Sequence, residues 1–99
     1  MFGAIKNIFK NRWVGSKRFI DIHEYLTRRW DFYDGKVAYF FIHEDTINNN
    51  DNSFDIYLKE RKRYASALGA LKYSKSYKKF VKELPEDIKK EIEMRYENA

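Results

Sequence analysis

The stretch Trp30-Asp-Phe-Tyr-Asp34-Gly35-Lys-Val37-Ala-Tyr-Phe-Phe-Ile42 carries the strongest local signal in this chain of 99 residues. Asp-Gly at 34–35 supplies the positive φ angles of a type I′ turn, which predicts a β-hairpin with strands at about 27–33 and 36–43. Counting outward from the turn places Phe32 opposite Val37 on one face. Residues 37–42 are apolar at every position, which predicts a strand covered on both faces.

Before this hairpin, one segment predicts a helix and a second segment fits either a helix or a strand. At 2–12, apolar residues recur at intervals of three and four, which is typical of a short amphipathic helix that Gly15 would end. Residues 19–26 fit two interpretations equally well, a helix beginning near Ser16 or a further strand.

The segment after the hairpin predicts two or three helices. A polar loop leads to a natural N-cap at Asn52 or Ser53 and a helix of about 18 residues. A shorter helix follows Ser74 or Ser76, and Pro85 is expected at the first position of the last one. The whole chain, 1–99, is therefore predicted to be a single α+β domain with a small antiparallel sheet, a short N-terminal helix and these C-terminal helices.

Composition restricts the class of protein. The chain has no cysteine, which excludes disulfides, thiolate metal sites and cysteine nucleophiles. Its longest apolar run, 37–42, is far shorter than the roughly 20 residues of a transmembrane helix. No signal sequence is recognisable, so we expect an intracellular protein. Aromatic residues make up 18% of the chain, more than a small core readily buries, which predicts a homodimer.

The net charge is +5, and residues of like charge are grouped in separate segments of the sequence. Residues 59–82 hold nine bases against Glu60 alone and are interleaved with tyrosines, a composition that suits phosphates and exposed bases. This block predicts sequence-independent binding of DNA or RNA, and the alternative is an ordinary solvated charged face. The candidate nucleic-acid-binding residues are Arg61, Arg63, Lys72, Lys75, Lys78, Lys79 and Lys82.

No motif in the sequence specifies a catalytic chemistry. His23-Glu24 and His43-Glu44 match no metal-ligand spacing, so no metal site is predicted. Neither a nucleophile–His–Asp arrangement nor a phosphate-binding glycine cluster is present, and no cofactor is expected. The chain is therefore interpreted as a non-enzymatic binding protein. A structural or host-targeting protein-interaction module and a small nuclease are the alternatives.

The N-terminal segment 2–12 also matches an amphipathic helix lying on an anionic membrane surface. Docking against residues 37–42 within the fold, or against a second subunit, is the preferred interpretation because a helix of three turns binds lipid weakly.

The sequence Tyr73-Ser-Lys-Ser-Tyr-Lys-Lys-Phe-Val-Lys-Glu-Leu-Pro85-Glu-Asp-Ile-Lys-Lys-Glu-Ile92 resembles the helical hairpin that opens toxins of the RelE/ParE superfamily. Those toxins are ribosome-dependent ribonucleases or gyrase poisons. Their functional residues lie on a sheet after the hairpin, and no residue of this sequence matches that sheet. The resemblance therefore implies no catalytic residue here.

Residue usage over the whole chain carries a second resemblance. The sequence lacks Cys and Gln and contains segments such as Leu58-Lys-Glu-Arg-Lys-Arg-Tyr64, and in this it is similar to small proteins of filamentous viruses of hyperthermophilic archaea. That resemblance implies a compact, thermostable protein, often dimeric, that acts in the host cytoplasm or in the virion.

Overall fold

The computed structural model describes residues 12–42 and 53–97. They form four helices, α1 (Lys17–Ile42), α2 (Ser53–Tyr73), α3 (Tyr77–Lys82) and α4 (Glu86–Tyr96). Of the described residues, 84% are helical and none lies in a strand. The predicted α+β fold with an antiparallel sheet is therefore wrong, because this part of the chain is all-α.

Helix α1 begins at a well-formed cap. Gly15 has a φ of +86°, a value that suits glycine, and turns the chain into the helix. The Oγ of Ser16 accepts a hydrogen bond from the backbone N–H of Phe19 (3.2 Å), and the Ser16 carbonyl accepts from Ile20 (2.9 Å). These bonds satisfy N–H groups that a helix start leaves without partners. Residues 19–26 are thus helical rather than a strand.

The predicted hairpin at 27–43 is also wrong in the described residues, which continue α1 to Ile42. Gly35 has no positive φ, so Asp34-Gly35 makes no turn. Val37 is buried while Phe32 is half exposed, because five residues along a helix bring side chains to different sides. A helical period of about 3.6 places Leu26 and Val37 on one buried stripe of α1, and burial along this stripe outweighs the turn preference of Asp-Gly.

Helices α1 and α2 pack as an antiparallel pair. The ring of Tyr33 stacks on that of Tyr64, with centroids 5.8 Å apart. At the other end, the Trp13 indole Nε1–H donates to Oγ of Ser74 at 3.0 Å. The start of one helix thus lies beside the end of the other, and Tyr33 and Tyr64 pack between the two.

The short helix α3 and helix α4 close the core over one end of this pair. The core contains buried side chains from all four helices and the α3–α4 link. Its members are Ile22, Leu26, Tyr64, Ala67, Leu71, Phe80, Val81, Leu84, Ile88 and Ile92. Val37 is buried outside this cluster. Helix α4 therefore covers only part of α1, and the rest of α1 has α2 as its described neighbour.

The caps of the later helices follow the sequence closely. Helix α2 begins at Ser53, as predicted. The Oγ of Ser76 accepts from the backbone N–H of Lys79 at 3.2 Å and caps α3. Pro85 is the N-cap residue of α4, one position earlier than predicted, and Glu86 and Asp87 lie in its first turn. Two acids at this end suit the positive pole of the helix dipole.

Three predictions concern segments outside the described residues. The first is the helix at 2–12, of which only Arg12 is described. The other two are His43 and the polar loop, most of which, including Asn52, lies outside the described residues. No helix within the described ranges has the length and apolar character needed to cross a membrane.

Candidate functional site

The predicted nucleic-acid-binding residues do not form one surface. The Arg61 guanidinium binds the Asp34 carboxylate at 2.8 Å. Arg63 binds Glu60 at 2.6 Å and also contacts Asp87 on α4. These two arginines join helices to each other, so their charges are already balanced by protein carboxylates.

The pKa values at this contact agree with a structural role. The Arg63 guanidinium lowers the pKa of Asp87, and the hydrogen bond that Arg63 donates to Asp87 helps to raise the pKa of Arg63. Both groups therefore remain charged at neutral pH, and the pair holds α4 against α2.

Among the predicted lysines, only some come together. Lys72 lies beside Phe19 and His23 in a groove between α1 and α2, and its Nζ is 5.8 Å from the centre of the Tyr73 ring. Lys75 and Lys79 are exposed. Lys78 and Lys82 are one helical turn apart on α3 and line the same groove.

That groove, which we call the basic groove, has a volume of about 560 Å³. It collects side chains from both ends of the described chain. The lining residues are Arg18 of α1, Tyr77, Lys78, Val81 and Lys82 of α3, Lys89 of α4, and Glu97. Four bases and one acid thus line a single depression, although the bases are spread over more than 70 positions of sequence. Lys89 also forms a long ion pair with Glu93 on its own helix, with Nζ and Oε1 4.0 Å apart.

Local packing fixes the position of the basic groove. Tyr77 lies at its floor, where its ring packs edge-on against Trp13 with centroids 5.8 Å apart. The Arg18 guanidinium lies 4.8 Å from the centre of the same ring. Arg18 is in the first turn of α1, so the Ser16 cap orients the cation over Tyr77. Such a cation–π contact holds the guanidinium in place but leaves its N–H donors available.

The Tyr77 hydroxyl is the least satisfied polar group at this site. It is buried and makes no hydrogen bond to the described residues. Burial, together with the neighbouring Glu97 carboxylate, raises the pKa of Tyr77 to about 12. The hydroxyl therefore keeps its proton at neutral pH, and because it is buried it does not face a ligand in the groove.

A second depression, the arginine groove, lies on the other side of the end of α4 and has a volume of about 670 Å³. Bases and acids are nearly balanced in it. The lining residues are Asp21, Glu24, Tyr25, Arg28, Arg29, Phe32, Arg95 and Tyr96. Arg28 forms an ion pair with Glu24, and the Arg95 guanidinium lies 4.3 Å from the centre of the Tyr25 ring. The excess of positive charge is therefore in the basic groove.

Sequence reasoning missed Arg18 and Lys89. Lys89 lies in a block, 83–99, in which acids outnumber bases, so counting charge by block concealed it. Arg18 directly precedes residues 19–26, the segment that fits either a helix or a strand. The cap signal at Ser16 could have placed it in the first turn of a helix.

The described residues hold no group of three or more His, Asp or Glu side chains close enough to bind a metal ion. His23 lines the groove shared with Phe19 and Lys72.

Neither a family model, nor a curated protein, nor a solved structure matches the chain. The resemblances to RelE/ParE-type toxins and to archaeal viral proteins therefore stay predictions.

Proposed function

We propose that this protein binds nucleic acid, DNA or RNA, without sequence preference and without catalysing a reaction, and that the basic groove is the binding site. The convergence of Arg18, Lys78, Lys82 and Lys89 on one depression carries this proposal. A phosphate is attracted by any cation within reach, and several cations in one groove add their contributions.

The chemistry of the groove favours phosphate over a carboxylate-rich protein partner. Arg18, held over the Tyr77 ring, offers directional donors, whereas the lysines offer flexible charge. A phosphodiester has several acceptor oxygens around one centre and can use both kinds of donor. Repeated phosphates along a strand then give affinity that does not depend on base identity.

The proposal is tested by the salt dependence of binding. A fluorescent oligonucleotide, single-stranded or duplex, is titrated with protein at several salt concentrations, and anisotropy gives the affinity. Log affinity should fall linearly with log salt. The double variant K78A/K82A should lower the magnitude of the slope by roughly 1.8 units for a duplex and roughly 1.4 units for a single strand, since each phosphate contact contributes about 0.9 or about 0.7.

The double variant K59A/K62A is the matched control. Lys59 and Lys62 are exposed on α2 within the same basic block of sequence, and the variant loses the same charge. Its slope should change much less than that of K78A/K82A. Equal changes, or no binding by the wild type at low salt, would refute the basic groove. Cleavage of the labelled strand would instead favour the small nuclease.

The alternative function is a protein-interaction module, including the homodimer. Near the end of α1, Phe41 and Ile42 are 69% and 76% exposed, and Ile56 of α2 is half exposed. Apolar side chains of this kind are buried when a second copy packs against them. Sedimentation at micromolar concentration tests the homodimer. A dimer in the wild type that dissociates in the variant F41S/I42S would support it, and a wild-type monomer would exclude it.

A further inference from the structure

One face of α1 connects the basic groove to two further grooves. Beyond the arginine groove lies a third depression of about 480 Å³, the aromatic groove, lined by Asp31, Phe32, Gly35, Lys36 and Tyr39. Phe32 belongs to both of these grooves, whereas Arg18 belongs to the basic groove. Six of the α1 residues that line these grooves recur at intervals of three, four or seven, so these six share one face of the helix.

Cations and rings alternate along this face. In chain order the face presents Arg18, Tyr25, Arg28, Phe32, Lys36 and Tyr39. With a rise of 1.5 Å per residue, the row is roughly 30 Å long. We call it the α1 track.

The rings at the far end of the α1 track are accessible. Phe32 is 50% exposed and Tyr39 is 55% exposed. The Lys36 Nζ lies 5.4 Å from the centre of the Phe32 ring, so the charge and the aromatic face are adjacent. Gly35 carries no side chain between the two rings, and a Cβ built there meets nothing within 4 Å. The surface between the rings is therefore open to a flat ligand.

We propose that the α1 track extends the basic groove into a site for single-stranded nucleic acid, in which unpaired bases stack on Phe32 and Tyr39. The inference rests on the proposed function. Bases in a duplex are stacked on one another and cannot reach such rings, whereas a single strand can place each base on a side chain. Alternating cations and rings match the alternation of phosphates and bases.

The acids on the track set where the backbone of the strand binds. Asp21 and Asp31 repel phosphates, while Glu24 is neutralised by its ion pair with Arg28. Phosphate contacts therefore concentrate in the basic groove and beside Lys36. Between them, the Tyr25 ring is covered by Arg95 and its hydroxyl binds Glu91, so base stacking is confined to Phe32 and Tyr39.

The experiment compares three labelled ligands of equal length, a single strand, the same strand with abasic sites throughout, and a duplex. Wild-type protein should bind the normal strand more tightly than the abasic strand, because only the former has bases to stack. In the double variant F32A/Y39A this preference should disappear, with a loss of roughly fivefold to a hundredfold for each ring that stacks a base. Binding of the abasic strand should be unchanged.

Tyr73→Ala is the matched control, because Tyr73 is 81% exposed but lies at the end of α2, off the α1 track. It should keep the preference for normal over abasic strand. If the preference survives in F32A/Y39A, the bases do not stack on Phe32 and Tyr39, and the α1 track is overturned. Loss of the preference in Y73A would instead place the stacking at Tyr73. Equal wild-type affinity for the normal and abasic strands would also overturn it while leaving the proposed function intact, whereas no binding of any ligand would refute both. Sedimentation of F32A/Y39A completes the test, since loss of a dimer with an unchanged preference would assign this face to a second copy.

Discussion

The Tyr64 hydroxyl on α2 donates a hydrogen bond to Oε2 of Glu91 on α4, with the two oxygens 2.8 Å apart. The other carboxylate oxygen, Oε1, accepts from the Tyr25 hydroxyl of α1 at the same distance. One carboxylate thus holds three helices together beside the core. Because α4 also supplies Lys89 to the basic groove, this contact positions one wall of the proposed site.

Glu91→Ala should destabilise the protein by about 1–3 kcal/mol, because it leaves two partly buried hydroxyls without their acceptor. Urea denaturation followed by circular dichroism measures the change. Glu91→Gln retains an acceptor oxygen and should lose less. If Glu91→Ala has wild-type stability, the three-helix contact does not contribute to folding.

Tyr77→Phe should keep or slightly raise the free energy of unfolding, by up to about 1 kcal/mol, because it removes a buried hydroxyl that lacks a partner. The same variant should bind the labelled strand as tightly as the wild type, because the buried hydroxyl does not face a ligand in the groove. Urea denaturation and anisotropy separate the two effects. A clear loss of stability would show that the hydroxyl has a structural partner.

Alkaline pH should destabilise the protein through the same residue. The pKa of Tyr77 is raised to about 12 in the folded state, whereas the ordinary value is 10.0, so above pH 10 the unfolded chain loses this proton more readily than the folded one. Stability should therefore fall as the pH rises from about 10 to 12. Tyr64 and Tyr25 have pKa values raised mainly by burial and add to the decline. Tyr77→Phe should make it shallower, and an identical decline would contradict the assignment to Tyr77.

Gly35→Ala distinguishes the helix from the hairpin that the sequence predicts. In α1 the residue is helical with open space around it, so alanine should stabilise by about 1 kcal/mol. In a type I′ turn the same change would destabilise, since alanine tolerates positive φ poorly. Thermal unfolding decides between the two, and a lower melting temperature would contradict a continuous α1.

The helices after residue 53 could be predicted from sequence because their signals are local. Ser76 and Pro85 are the N-cap residues of α3 and α4, and Ser53 is the first residue of α2. Residues 27–42 could not, because Asp34-Gly35 is an equally local signal for a turn. Packing against α2 determines that residues 27–42 are helical. One such contact, the stacking of Tyr33 on Tyr64, joins residues 31 positions apart in the sequence.

The residues of the candidate site could likewise be predicted only in part from the sequence. Lys78 and Lys82 could be selected because they lie in an obviously basic block. The block does not indicate that Arg61 and Arg63 are occupied by carboxylates of other helices. Nor does it indicate that Arg18 and Lys89 lie beside the selected lysines. Tertiary packing alone determines which charges are paired and which converge.

The double variant R18A/K89A tests whether the basic groove binds phosphates. Its two residues lie outside the basic block of sequence and join the site only through the fold. The measurement is the slope of log affinity against log salt for a labelled single strand, with circular dichroism to confirm folding. If the basic groove binds phosphates, the magnitude of the slope should fall by roughly one and a half units, close to the change in K78A/K82A. An unchanged slope in the folded variant would show that the basic groove is not the phosphate-binding site and would place binding elsewhere on the surface.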